Sequence, residues 1–551
     1  EERGHWVLRL VLDRRPRNAL ERHVQPTEDT VPHGVCFLDV VLAADEQLRI
    51  WATDLPAYYY SMLVTEARAK TNVFTSPLPI REYGHLAAVQ DLREREGVEG
   101  DREADGLVVF CLRTMAMGDR NATVFGQAAH VQMLRNGGVL DPAATLAYRR
   151  PWPRTPVAQG VMTDDQVTAA VVPLHARHGT AISTEARRVF GATLAAYDAA
   201  GVRDVPDKRQ EDVASAVVWG CEVQGRAGRV GVARAKRAAI AAVTVAVALL
   251  GCVSVDLLRR LLGLWTDVLL YRRDAFAVLG AAYHFTNLHA GDGPRCVRSL
   301  PGPVRTELLL LAALAPLLDT NIRAPVSPEL KVTDSSLEGG CAVAVDVPPA
   351  AALELWRQRL CPGRYSGLDR SAGLCRGDCF VGDLLEGSPA RELLKFRYSR
   401  RAVTINRGEA RARRALWCVL SQDASKHATR HLIAYDSRVL LAIAAKGRAN
   451  GSALLRELRL TYPHQLAADC TEGALWTDSE RNAADSGSRG GPVPVPAPRR
   501  PWVARFLQGD IAALDERLAG PGSPEAPPDP HPLPDWWYAW AGVELPDAAR
   551  G

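Results

Sequence analysis

Three observations predict a mixed α/β (α+β) chain built in several parts. Residues 1 to about 230 alternate short apolar, strand-like runs with helical stretches. From about 233 to 325 the pattern turns helical and apolar, with leucines at helical spacing in VSVDLLRRLLGLWTDVLLYRR. Strand and helix patterns then alternate again to about 495. A length of 551 residues accommodates about three domains, and 47% hydrophobic with 24% charged residues lets each bury a core. The segments expected are 1–232, 233–327, 328–495 and a linker with tail, 496–551.

The opening EERGHWVLRLVLD lacks an initial Met and enters a strand-like run at once, which reads as a chain truncated at its N-terminus. LRIWATD is a strand that ends at Asp54, and PAYYYSMLVTEARA is the turn and helix after it. VAQGVMTDDQVTAAVV is a hairpin, apolar on both limbs, with Asp164 and Asp165 at its tip. Paired aspartates are costly in a core but suitable in a cleft, where a cation neutralises them. If the hairpin lies beside the Asp54 strand, three carboxylates converge and can hold two Mg²⁺ ions about 3.5–4 Å apart. For TDD alone, the competing reading is an acidic surface turn.

The uncharged run Ala238–Val255 is long enough to raise a membrane span, yet it is Ala/Val-rich and contains Thr244, Gly251 and Ser254. One buried helix, or two, is expected instead, with no membrane association. No apolar signal region follows a basic lead, so a cytoplasmic or nuclear location is expected. APVSPELKV marks a boundary, and LKVTDSSLEGGCAVAVDV then reads as strand, Gly-rich turn and strand, with Asp334 near the end of the first. GEARARRALWCVL is a helix with Glu409 in its first turn, where the helix dipole favours a carboxylate. HLIAYDSRVLLAIAAKG is a strand that ends at Asp436 and then a helix, and NAADSGSR puts Asp485 at a turn. Singly each acid reads as a cap or a surface charge. Together, four carboxylates from four elements can meet at one end of a sheet, as two-metal hydrolysis of a phosphodiester by water requires.

Eleven cysteines without a regular framework suit a reducing compartment. Cys361, Cys375 and Cys379 lack the partners that would complete a zinc site and read as free thiols in a loop. GGPVPVPAPRRP reads as a stiff linker, and the tail beyond it, with one helical candidate and the aromatic DWWYAWAG, as an exposed appendage. A net charge of +4 and a pI near 8.5 are too mild to argue for nucleic acid by themselves. The basic residues do cluster, in VLDRRPRN and SRRAVTINRGEARARR, where they can track a phosphate backbone.

Across roughly its first 230 residues the chain resembles reverse transcriptases, especially those of tyrosine-recombinase (DIRS-like) retrotransposons, through RLVLDRRPRN, ATDLPAYYY, LRTMAMGDRNATVFGQAAH, VMTDD and VPDKRQ. The order TDSS, GEA, YDSR and NAADSGSR resembles the ribonuclease H of the same elements, with Trp476, Asn482 and Arg489 framing the last aspartate. The resemblance implies a right-hand palm and fingers, a helical thumb or connection, and a ribonuclease H-like domain. It implies Asp54, Asp164 and Asp165 as one catalytic, metal-holding set and Asp334, Glu409, Asp436 and Asp485 as the other. Mg²⁺ or Mn²⁺, two ions per site, would be the cofactor. By the same likeness Arg9 and Arg15 belong to the nucleotide-binding fingers and Tyr59 gates against a ribose 2′-hydroxyl. Gly118 lets backbone approach the nucleotide, and Lys208 lies near departing pyrophosphate. Lys446 and Arg448 would touch the phosphates of a hybrid. The implied partners are RNA and DNA template-primer, RNA–DNA hybrid and deoxynucleoside triphosphates, with no obligate protein partner. Met162 stands where the family has tyrosine, and Ala116 where it has proline. A retroelement remnant that binds nucleic acid without turnover is the alternative, and a nuclease alone is a third reading.

Overall fold

The computed structural model describes residues 12–22, 24, 31–96, 106–148, 150–175, 180–293, 295–360, 379–399 and 404–519. Arg9, Cys361, Cys375 and the DWWYAWAG motif lie outside these residues. The fold is mixed α/β, as the patterning predicts.

The first sheet is wholly antiparallel. It comprises β1 (Glu46–Asp54), β2 (Val157–Met162), β3 (Asp165–Pro173) and β4 (Gln210–Val213), in the order β2-β3-β1-β4. Alternation along β1 explains its central place. Leu48, Ile50 and Ala52 enter one core, while Trp51 turns to the other face against Phe190 of the helix Ala181–Ala199. A second small sheet holds β5 (Ser215–Val218), β6 (Cys221–Gln224), β7 (Arg229–Gly231) and β8 (Thr320–Asn321). The helices Arg234–Leu250, Val255–Leu269 and Gly302–Leu314 follow from β7. Their buried side chains, Trp265 among them, share one continuous core with Phe37, Ile50 and Trp219. The Ala238–Val255 run is one helix that ends at Gly251, which adopts φ +69°, followed by the short strand Cys252–Ser254. Among the described residues no helix is long and apolar enough to cross a membrane.

The third sheet contains β9 (Val326–Ser335), β10 (Gly339–Asp346), β11 (Ala390–Arg397), β12 (Arg430–Tyr435) and β13 (Thr471–Trp476), in the order β11-β10-β9-β12-β13. β9, β10 and β11 pair antiparallel, whereas β12 and β13 run parallel to β9. The helices Ile405–Gln422 and Ser452–Ala467 cover one face, and Pro349–Arg357 and Phe380–Glu386 cover the other.

Three expectations are corrected here. The Pro-rich segment is no free linker: Ala497 donates its N–H to Glu386 O (2.8 Å), and Arg499 Nε donates to Gly387 O (2.9 Å). The helices Pro501–Leu507 and Ala512–Ala519 are no appendage either, because Phe506, Ala513 and Leu514 are fully buried in the core on one face of the third sheet. The apolar spacing of WVARFLQGDIAALDERL pays for that docking through burial. The other correction concerns Glu409. Its helix starts at Ile405, so Glu409 lies one turn in and has no claim on the N-terminal dipole.

Candidate active sites

The first cluster follows from strand register. Asp54 at the end of β1 is the direct partner of Asp165 at the start of β3, so the two side chains leave the same face. Met162 pairs with Asp165, leaving Thr163 and Asp164 as a two-residue turn. Leu55 N–H donates to Asp164 O (3.1 Å), which ties that turn to the end of β1. Burial, then the charges of Asp164 and Asp54, push the Asp165 carboxyl up to about 7, against the opposing pull of Lys208. Lys208 Nζ lies 2.8 Å from Asp54 Oδ2. An open cleft of about 470 Å³ borders Asp54, Asp165 and Lys208 on one side and the Trp219–Gly220 tip of the β5–β6 hairpin on the other. An oxygen-only donor set with mutually repelling carboxylates suits a hard divalent cation.

The turn is held from behind by residues the sequence reading did not single out. Gln127 Oε1 accepts the Thr163 N–H (2.8 Å), while its Nε2 donates to Val161 O (2.8 Å). His130 Nδ1 donates to Thr163 O (2.7 Å), so Nε2 is free to accept from the Tyr197 hydroxyl (2.8 Å). Burial pushes His130 down to about 4, in keeping with a neutral ring. Both residues lie three apart on the helix Ala122–Asn136, which was the available signal.

Tyr59 stands close enough to Asp164 to feel its charge, and its ring lies against Gly126, where an added Cβ would come within 3.1 Å. Gly118 adopts φ +91° and accepts Asn18 Nδ2 at its carbonyl (2.8 Å), so the 12–22 segment sits on the Gly118 loop. Arg15 is not brought to the carboxylates: it is exposed and pairs with Asp13 (2.6 Å). Its neighbour Arg14 is the buried one, held by Glu21 and Asp119.

The second cluster gathers at one end of the third sheet. Asp334 lies near the end of β9, Asp436 directly follows β12, and Asp485 opens the one-turn helix Asp485–Ser488 rather than a turn. Glu409 reaches them because Gly408 lets its helix approach β9: a Cβ there would stand 2.6 Å from Ser335 Oγ. Tyr398 reinforces the contact, its hydroxyl donating to Gly408 O and lying 2.9 Å from Ser335 Oγ. Burial raises Asp334 to about 6; a bond from Ser488 opposes this, while Asp436 and Asp485 add to it. Burial also raises Glu409, opposed by Ser437 and assisted by Asp436 and Asp334. These mutual effects place all four carboxylates in one field. Glu409 Oε2 is buried without a hydrogen-bond partner, an orphaned acceptor that a cation would satisfy. Among the described residues, no three His, Cys, Asp or Glu side chains are already drawn together around a single ion position. Lys446 ends the helix Arg438–Lys446, opposite the end next to Asp436, and Arg448 follows it. At about 1.5 Å of rise per residue, that helix holds both basic residues well away from the cluster.

No protein-family model matches the chain, and no curated protein does. Among solved structures, the chain is similar to a foamy viral protease-reverse transcriptase dRH in complex with double-stranded DNA, at 12% identity and a TM-score of 0.39, over 85% of this chain and 62% of that one. It is similar also to the foamy viral protease-reverse transcriptase in complex with RNA/DNA hybrid, at 11% identity and a TM-score of 0.37, over 87% and 71% of the two chains. This chain thus spans less than two thirds of the first. The likeness is loose, and the function proposed below stands on the two carboxylate clusters themselves.

Proposed function

We propose that this chain is an RNA-directed DNA polymerase joined to a ribonuclease H, of retroelement type. The observation that carries the reading is the pairing of Asp54 with Asp165 beside the Asp164 turn, matched by a second, separate set of four carboxylates. Asp54, Asp164 and Asp165 would hold Mg²⁺ or Mn²⁺ in the first site, and Asp334, Glu409, Asp436 and Asp485 in the second. Divalent ions bound there would activate the attacking oxygen and steady the leaving one. Lys208, beside Asp54 at the cleft, offers a cation to the phosphates of a deoxynucleoside triphosphate. Tyr59 bounds the space next to Asp164, where a ring excludes a ribose 2′-hydroxyl by contact. In the second site Ser437 and Ser488 orient Glu409 and Asp334 toward the RNA strand of a hybrid.

Primer extension on an RNA template with Mg²⁺ or Mn²⁺, alongside degradation of an RNA–DNA hybrid, tests the assignment. Asp164→Asn is expected to abolish extension and leave hybrid cleavage, and Glu409→Gln to do the reverse. Equal loss of both activities in either variant overturns the two-site assignment. A wild-type chain that binds hybrid and turns over neither substrate is instead a non-catalytic scaffold.

A further inference from the structure

Thr163 is a β-branched residue at φ +54°, in the left-handed region that such side chains avoid. Backbone of this kind is costly and persists only where its surroundings over-determine it. Three hydrogen bonds do so here. Gln127 takes the Thr163 N–H and holds Val161 O on the adjoining strand, so one amide spans both sides of Met162. His130 takes the Thr163 carbonyl and is itself fixed by Tyr197. Gln127, His130 and Tyr197 are all buried, so water does not compete for these bonds. With its backbone fixed, Thr163 holds its hydroxyl 2.7 Å from Asp164 Oδ1 and 2.8 Å from Met162 O, either of which can accept its one proton.

We propose that Gln127 and His130 are positioning residues that clamp Thr163 in its left-handed conformation and so set Asp164 and Asp165 for metal-assisted nucleotidyl transfer. The chemistry assigned to the carboxylates rests on the function proposed above; the clamp itself does not. An unclamped turn would relax toward ordinary backbone angles and move Asp164, which directly precedes Asp165 and whose carbonyl accepts from Leu55 at the end of β1. Misplacing a catalytic carboxylate by about 1 Å costs on the order of 100-fold in rate.

The test pairs Gln127→Met with Thr163→Asn, because asparagine tolerates the left-handed region and still presents a donor to Asp164. Gln127→Met alone is expected to lower kcat for primer extension by roughly 10–100-fold, with hybrid cleavage unchanged. In the double variant Thr163→Asn should recover most of that loss, because the clamp is no longer opposing strain. Thermal unfolding of the same four proteins gives a second cycle that needs no activity. There, Gln127→Met should lower Tm less in the Thr163→Asn background than in the wild type. Additive effects on Tm overturn the clamp even if extension proceeds. Non-additive Tm with no extension in the wild type keeps the clamp and overturns the polymerase reading. Loss of activity that Thr163→Asn does not relieve, with coupled Tm, shows that Gln127 stabilises the turn without positioning the carboxylates, and overturns the proposal.

Discussion

Gly408 sets how closely the Glu409 helix approaches β9, because an added Cβ would stand 2.6 Å from Ser335 Oγ. Gly408→Ala is expected to push that helix off β9 and strand Glu409, reducing hybrid cleavage at least about tenfold. Primer extension should persist, and assay of both activities on one preparation checks this. A variant with full cleavage would show that the helix can shift without moving the carboxylate. Glu409 and Asp485 were singled out by the order of motifs. Asp54, Asp334 and Asp436 were legible because each closes or directly follows an apolar strand-like run, and Asp164 and Asp165 because they sit at the tip of an apolar hairpin. Their supports were not. Gln127 and His130 look like ordinary polar positions on a helix, and only the return of the Thr163 turn beneath that helix gives them a role. That Arg14 is buried on Glu21 and Asp119 while Arg15 stays exposed beside Asp13 was equally out of reach, because adjacent arginines are indistinguishable until one of them is buried.

At the scale of elements, the strands and the TDD hairpin followed from alternation and turn residues, whereas strand order and the docking of the C-terminal helices depended on tertiary partners no local pattern reveals. Asp383 is the hub of that docking. It is fully buried and accepts from Arg481, Arg517 and the indole of Trp502, with Arg500 2.9 Å away. Asp383→Asn would leave three guanidiniums around a neutral amide, and breaking a buried ion pair costs about 3–5 kcal/mol. Denaturant unfolding should show a loss of that order, and proteolysis should release the segment that follows Gly491. A second element carries a pH signature. Burial alone would raise Glu329, but Lys331 and Lys426 outweigh it, and Arg391 also pairs with it at 2.8 Å; the carboxyl is held down at about 2. Its folded pKa therefore lies below its unfolded one. The stabilisation is complete above about pH 4.5 and drains away as pH falls toward 2, amounting to roughly 2–3 kcal/mol. Comparing acid unfolding of wild type and Glu329→Gln isolates it, since the variant should lack that part of the pH dependence. His431, which faces the same cations, is pushed down to about 3 by burial and stays neutral through most of the window.

At the scale of the molecule, the two candidate sites sit on parts joined by buried polar contacts rather than by a flexible connection. Arg430 on β12 is fully buried and donates to Leu38 O and Val40 O beside the first sheet. Arg359 pairs with Asp39, and Arg459 pairs with Glu307. Tyr462, on the helix Ser452–Ala467, enters the core shared by the first sheet and the helical segment. Asp469 is the most testable of these joints, since it binds Arg229 (3.0 Å) and Arg272 (2.9 Å) from across the junction. It also adopts φ +49°, which asparagine tolerates as readily as aspartate. Asp469→Asn therefore removes charge without adding backbone strain. Arg272 is buried and would keep its bonds to the Asp319 and Gln465 carbonyls, so loss of the Asp469 charge should cost on the order of 1–3 kcal/mol, little screened by salt. Calorimetry of the wild type should give one cooperative transition, because its cores are stitched together by groups that water cannot replace. In Asp469→Asn the third sheet should begin to melt apart from the rest, giving two transitions or one broadened by salt-independent uncoupling. A single, unshifted transition in the variant would mean that the apolar contact of Tyr462 and its neighbours suffices to unite the two halves.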